Sequence, residues 1–306
     1  MPEEQCHLFD PSSIPIGEKK LELKTAEAPV WTENKAQLIQ RYLRYFVFIT
    51  KHGTYLDAFS APQSPDHADV SCAAKLVLES DPKWFRNFAL FDLSKPGIAF
   101  LQNLATANTV TKRTIHVIQG DSNVELPAFL AKNPIPEKEA TFCLLDQRTF
   151  ECDWQTVVEV AKHKKTGNKI EVFYFLAQGW LDRSIAALGN PEVDLLKWWG
   201  NDDWKVLAKM PGSERGIYLA ERFKKEFGYR YAYAFAIYQR DGIDAGKVMF
   251  WMIHASDHEE APKLMMRAYR NVVAPLEPIE QLKMEFGADA ASTTANGSVA
   301  TANPQR

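Results

Sequence analysis

Tyr55-Leu56-Asp57-Ala58-Phe59-Ser60-Ala61-Pro62-Gln63 decides the reading of this chain. The stretch is apolar, takes in one aspartate, and then breaks into small and turn-forming residues. That is the form of a buried strand, expected at about 54–59, followed at once by a loop. Such a strand opens an α/β domain whose strand ends face a ligand crevice. A loop that cradles a phosphate or cofactor normally carries glycine, which lets the ligand approach the backbone. Here Ala61, Pro62 and Gln63 stand in those places.

The same form recurs downstream. Asn87–Asp92, Ile115–Ile118 (ending at Gly120-Asp121), Thr141–Asp146 and Ile170–Phe175 read as four more strands. Apolar stripes at helical spacing lie between them: Ala73, Ala74, Val77 and Leu78, stopped by Asp81-Pro82; Ile98, Leu101 and Leu104; about Asn123 to Leu130; and Trp154, Val157, Val158 and Ala161. Ahead of the first strand, Leu38, Ile39, Tyr42, Leu43 and Phe46 mark a helix that Thr32 can cap. Continuous apolar strands alternating with helices predict a parallel sheet covered on both faces. Four strands close at or just before an aspartate: Asp57, Asp92, Asp121 and Asp146.

Residues 178–212 break this rhythm with Trp180, Trp198, Trp199 and Trp204, and read as an insertion or lid. A helix through Ile217, Leu219 and Phe223 follows. Two long strands, about 230–239 and 247–255, are joined by Asp241-Gly242-Ile243-Asp244-Ala245-Gly246, a hairpin signal that makes the last strand antiparallel. A final helix from near Pro262 offers Leu264, Met265, Ala268, Tyr269 and Val272 for burial. The expected organisation is a leader over 1–30, broken by Pro11, Pro15 and Pro29, one α/β domain over 31–286, and a disordered tail over 287–306.

Bulk properties narrow the class. The chain has 306 residues, 46% hydrophobic and 25% charged, as in ordinary globular proteins. No apolar run is long enough to span a membrane, and the acidic start Met-Pro-Glu-Glu is no signal peptide. Cys6, Cys72, Cys143 and Cys152 are scattered without a C-x-x-C pair, which fits reduced thiols in the cytoplasm and neither a disulfide frame nor a zinc site. The net charge of −3 gives no bulk attraction to nucleic acid, so such binding needs local patches. No G-x-S-x-G elbow, Walker loop or H-E-x-x-H occurs.

Five parallel strands closed by a hairpin with one reversed strand resemble the Rossmann-like sheet of class I S-adenosylmethionine-dependent methyltransferases. Trp31-Thr32-Glu33-Asn34-Lys35 with Tyr42-Leu43, the opening stretch, Leu145-Asp146 and Ile253-His254-Ala255-Ser256 together resemble the three-Cys-motif partner protein family (TcmP) over most of 31–273. The resemblance implies a methyltransferase-like fold, S-adenosylmethionine as cofactor, a radical-type three-Cys-motif protein as partner, and possible action on nucleic acid. The chain departs from the family at two places. Phe59-Ser60-Ala61-Pro62-Gln63 stands for Phe-Ala-Gly-Pro-Gly, and Asp146-Gln147-Arg148-Thr149 stands for Asp-Pro-Phe-Gly.

Each candidate residue has two readings. Asp57, with Ser60 and Gln63, faces the cofactor's amino-acid part, or else only closes a turn. Asp92 accepts two ribose hydroxyls or supports the helix from Ser94. Asp121 meets the adenine amine or makes a turn and cap. Asp146, Gln147, Arg148 and Phe150 stand where amino-methyltransferases hold the target amine. Arg148 can clamp an anion and Phe150 can stack on a base, both beside the 60–63 turn, or the run is a salt-bridged loop. The tryptophans stack bases and line a lid, or form a satellite core or partner surface. His254-Ala255-Ser256-Asp257-His258 lies at the end of a reversed strand and so away from the crevice. Lys162-His163-Lys164-Lys165 and Lys224-Lys225 read as solvated helix ends or phosphate contacts. Two alternatives stand beside the methyltransferase reading: a degenerate fold member serving as a partner subunit, and a metal-dependent nuclease using Asp146, Glu151 and Asp153.

Overall fold

Among the described residues, seven strands form one sheet. The structure, a computed structural model, describes residues 30–62, 68–188, 190–238 and 247–272. In chain order the elements are α1 (Val30–Thr50), β1 (Gly53–Asp57), α2 (Ala68–Ser71), α3 (Ala73–Glu79), β2 (Phe85–Asp92), α4 (Lys95–Ala107), β3 (Thr114–Gln119) and α5 (Ser122–Lys132). Then come β4 (Thr141–Leu145), α6 (Trp154–Lys162), β5 (Glu171–Leu176), α7 (Leu181–Ala187), α8 (Pro191–Trp199), α9 (Trp204–Lys209) and α10 (Gly212–Phe227). The last three are β6 (Tyr231–Tyr238), β7 (Val248–Ser256) and α11 (Ala261–Val272).

The strand order is β3-β2-β1-β4-β5-β7-β6; β1 to β5 are parallel, and β7 runs antiparallel to both β5 and β6. The expected doubly wound sheet with a reversed strand is therefore the fold. The 241–246 turn, the 1–29 leader, the 287–306 tail and Cys6 lie outside the described residues. Helix α1 starts at Val30, so Thr32 stands inside its first turn and does not precede it. The first strand ends at Asp57, with Ala58 and Phe59 already in the turn. Cys72, Cys143 and Cys152 are buried free thiols.

The period of two along each strand sorts aromatic rings onto two faces. On one face Phe173 and Phe142 meet Tyr42 and Phe46 of α1, and Tyr55 stacks on Phe142. On the other, Tyr174 meets Trp154 of α6 and Phe223 of α10. The described residues of the 178–212 segment form α7 to α9, and Trp198 and Trp199 are fully buried in the main core on this second face. Arg222 fixes them there. Its guanidinium lies 3.6 Å from the Trp154 ring centre and 4.5 Å from that of Trp199, and donates to the Trp199 carbonyl at 2.7 Å. Trp198 and Trp199 thus belong to the core itself, Trp204 packs against it, and Trp180 meets Phe250 edge-on at 4.9 Å.

The N-terminal edges of β4 and β5 carry a closed polar network. Glu171 accepts from the Tyr42 hydroxyl and from Ser256 Oγ (2.8 Å), and pairs with His254 Nε2 (2.9 Å). Asp257 takes the Lys169 and Arg230 N–H groups, at 3.1 and 2.9 Å. The His254–His258 run therefore lies opposite the crevice, as its strand direction requires. Replacing Trp198 by alanine is expected to cost about 3–5 kcal/mol in a urea melt, as for buried Trp→Ala elsewhere. A loss under about 1 kcal/mol would show that α7–α9 form a module loosely attached to the core.

Candidate functional site

A cleft of about 650 Å3 opens at the C-terminal edge of β1, β2 and β4. It lies where the strand order reverses between β1 and β4, the switch point at which open α/β sheets take ligands. Asp57, Asp92, Asp121 and Asp146 all line it, with Leu93 and Arg148 on its wall.

Asp57 is buried, two residues from Tyr55 and on the same face. It accepts from the Tyr55 hydroxyl at 2.8 Å and from the Phe59 N–H at 3.2 Å. Burial pushes its carboxyl up to about 7; those two hydrogen bonds pull it down, and the nearby charges of Asp146 and Asp92 push it further up.

The loop after β1 is stitched into the fold. Ala58 N–H donates to the Leu144 carbonyl (3.1 Å), Ser60 N–H to the Phe91 carbonyl (2.9 Å), and Ala61 N–H to Asp92 Oδ2 (3.2 Å). Pro62 has no N–H. Ser60, expected to offer its hydroxyl to a cofactor, instead turns inward. Its Oγ donates to the Asp57 carbonyl at 2.7 Å and accepts the Phe91 N–H at 3.0 Å. Gln63 lies outside the described residues.

Asp92 supports the start of α4, as one of its two readings expects. It lines the cleft, and its Oδ1 accepts the Ser94 N–H and hydroxyl, each at 2.8 Å. Ser94 in turn caps α4 by accepting the Gly97 N–H at 3.1 Å. Gly97 is glycine because α4 starts against the loop: a Cβ there would lie 2.5 Å from Ala61 Cβ and 2.8 Å from Asp92 Oδ1. Asp121 likewise caps α5, accepting the Asn123 N–H at 2.9 Å, and is exposed on the cleft wall.

The run after β4 divides. Arg148 is exposed on the cleft wall. Gln147 is fully buried and structural, donating to the Phe175 carbonyl (3.2 Å) and accepting the Cys152 N–H (3.0 Å). Phe150 meets the Trp198 ring edge-on at 4.9 Å and packs on the core, so its expected place beside the 60–63 turn is not where it lies. Glu151 accepts the Thr149 N–H at 2.6 Å. Among the described residues, no three His, Cys, Asp or Glu side chains come together as a metal site, and the nuclease reading gains no support from Asp146, Glu151 and Asp153.

Two residues of the site were not assigned from the sequence. Leu93, directly after Asp92, is 72% exposed at the cleft. Lys35 of α1 forms an ion pair with Asp146 Oδ1, its ammonium lying 4.6 and 4.1 Å from the centres of the Phe175 and Phe250 rings. The signal for Lys35 was present: it occupies the apolar stripe Lys35, Leu38, Ile39, Tyr42, Leu43, and a charge on a buried helix face requires a partner.

No protein-family model matches the chain, and no curated protein matches it. Among solved structures it is similar to TYW2 from M. jannaschii in complex with AdoMet, at 8% identity and TM-score 0.42, over 76% of this chain and 78% of that one. It is also similar to protein LPL1258 from Legionella pneumophila, a DUF519 protein, at 12% identity and TM-score 0.44, over 80% and 93%. Trm5b from Pyrococcus abyssi matches at 15% identity and TM-score 0.33, over 70% of this chain and 47% of that one. These likenesses are too distant to speak to chemistry. The class rests on the strand order, which is that of a methyltransferase-like α/β fold.

The Lys35–Asp146 pair is asymmetric, with side-chain exposures of 3% and 21%. Asp146→Ala strands a buried ammonium and is expected to cost about 3 kcal/mol or more. Lys35→Met keeps the stem between the rings and leaves a carboxylate that water can reach, so it should cost clearly less in the same denaturant titration. Equal losses would contradict this account.

Proposed function

We propose that the cleft binds S-adenosylmethionine or a closely related nucleoside, and that the protein is methyltransferase-like. One observation carries this reading: four carboxylates from the ends of β1 and β2, the β3–α5 turn and the end of β4 converge on a single cleft at the switch point. A nucleoside with a cationic amino-acid tail offers the matching donors: an ammonium for Asp57, a ribose diol for Asp92, a base amine for Asp121. Asp92 already accepts three internal hydrogen bonds, and a carboxylate takes about four, so it has room for a hydroxyl. Leu93 gives the base a flat apolar contact.

The fit is good in acceptors and poor in loop donors. The N–H groups of residues 58 to 61 are spent within the fold, so the cofactor's carboxylate would fall to Arg148. When bound, the cofactor supplies an electrophilic methyl group on a sulfonium. Asp146, with one oxygen held by Lys35, keeps the other for the N–H of an acceptor amine, which a nucleic-acid base would offer. The spent loop favours a second reading, a partner subunit of the methyltransferase fold that has lost the cofactor and docks on a three-Cys-motif protein.

Calorimetry separates the two. S-adenosylmethionine or its demethylated product is expected to bind, and Asp92→Ala to lose about 1.5–3 kcal/mol of affinity. No heat with either compound at high concentration would sink the first reading in favour of the second.

Binding should also be linked to protons. Asp57 has its carboxyl raised from 3.8 to about 7 in the folded protein. An ammonium ligand prefers the carboxylate, so affinity should weaken as pH falls below about 7, by up to about tenfold per unit. Without ligand the sign is opposite: the folded state holds a proton that the unfolded state releases between about 4 and 7, so Asp57 makes the protein less stable as pH rises through that window. Asp57→Asn should flatten both profiles, and a wild-type affinity independent of pH from 5 to 8 would remove Asp57 from the binding site.

A further inference from the structure

Among the described residues, the two that are not glycine and yet take left-handed backbone are both lysines, Lys51 and Lys112, each with φ 62°. Lys51 stands two residues before β1, and Lys112 two residues before β3. Glycine takes this conformation without the Cβ clash that a side chain suffers. The chain accepts that strain twice, and both times it sets a cation at the same edge of the sheet. Strain held where glycine would relieve it points to a use for the side chain.

The register brings further groups to this edge. Gly53 pairs with Phe85, and Asn87 with Thr114, so Trp84 and Arg86 lie between the two lysine turns. Neighbouring strands are only about 4.8 Å apart. Trp84 is 36% exposed, and its ring is held upright by Phe48, edge-on at 5.6 Å, and by the Lys51 ammonium at 5.2 Å. Arg86 is exposed. Arg113 donates to the Phe85 and Leu78 carbonyls at 2.9 and 2.8 Å, with the Asp81 carboxylate in electrostatic range. Two acids share this edge: Asp81 lies 3.8 Å from Lys83, and Glu139 lies 3.1 Å from His52. The edge is a cationic strip around a fixed, partly exposed indole.

We propose that this N-terminal edge of the sheet binds a single-stranded polynucleotide, with phosphates on Lys51, Arg86 and Lys112 and a base stacked on Trp84. Cations give salt-dependent affinity for the backbone, and an aromatic face stacks on any base. The site is at the opposite end of the strands from the cleft and does not require the cleft to hold a cofactor.

Fluorescence anisotropy with labelled oligouridylate and oligothymidylate of equal length tests this on the full chain, without cofactor. The sugar preference tells RNA from DNA, and heparin serves as an anion without bases. The decisive variant is Lys51→Gly with Lys112→Gly, which removes both cations while relieving both backbones. It should melt no lower than wild type, bind the oligonucleotides roughly tenfold or more weakly, and show a log-affinity against log-salt slope shallower by about 1.4, or about 0.7 per phosphate. Trp84→Ala should weaken oligonucleotide binding by at least about fivefold and leave heparin binding unchanged. Wild-type affinity in the double-glycine variant would overturn the proposal. So would equal loss of heparin and oligonucleotide in Trp84→Ala, no binding by wild type, or binding to anionic lipid vesicles in preference to both oligonucleotides.

Discussion

Helix α1 is fixed across the sheet at two points, and the cleft depends on both. Lys35 reaches Asp146 at the C-terminal edge of the strands, and seven residues later Tyr42 donates to Glu171 at the N-terminal edge. Seven residues of helix span about 10 Å, so the two contacts set both the position and the tilt of the helix. Neither could survive half-made. A buried ammonium without a counter-ion costs several kcal/mol, and a buried carboxylate needs donors on both oxygens. Lys35 has Asp146 and two aromatic faces; Glu171 has Tyr42, His254 and Ser256. The acceptor side of the cleft is thus built from an element distant in sequence, and Asp146 has one oxygen committed before any ligand arrives.

The sheet was legible because its central strands are buried on both faces and read as apolar runs, and four strands close at or just before an aspartate. Asp57, Asp92, Asp121 and Asp146 were legible for the same reason, since a strand end at the switch point can be located by counting. What escaped was set by contacts distant in sequence. Nothing local in Gln147 says that its amide will bridge Phe175 and Cys152, or in Phe150 that it will meet Trp198. Ser60 looked like a ligand contact because it stands in a loop; it is consumed tying β1 to β2. The tryptophans of 178–212 looked like a lid because their spacing broke the α/β rhythm. Arg222, in a later helix, is what draws Trp199 inward beside Trp154.

The absence of glycine at 61–63 has a structural counterpart. In a glycine-bearing loop, N–H groups point at the ligand. Here Asp92 takes the Ala61 N–H for itself, and Ser60 and Ala58 close onto β2 and β4. The same acid that would hold a ribose therefore also rigidifies the loop. A ligand bound here gains from preorganised acceptors and must find its donors elsewhere, so binding through hydroxyls and amines is favoured over binding through a carboxylate or phosphate. That preference fits a nucleoside better than a nucleotide.

Charge is divided along the strands. The chain carries only −3 overall, yet its C-terminal edge gathers Asp57, Asp92, Asp121 and Asp146, while its N-terminal edge carries Lys51, Arg86, Lys112 and Arg113. The edges are separated by the length of a strand, about 20 Å for six residues. An acidic cleft attracts a cationic ligand and repels a polyphosphate, and the opposite edge does the reverse. A polynucleotide drawn to the basic edge would then meet the cleft only through a base or end that leaves the phosphate track. Arg148 on the cleft wall is placed to offset the repulsion at that point. If both proposals hold, this division would let one weakly charged sheet discriminate between a cationic cofactor and an anionic polymer.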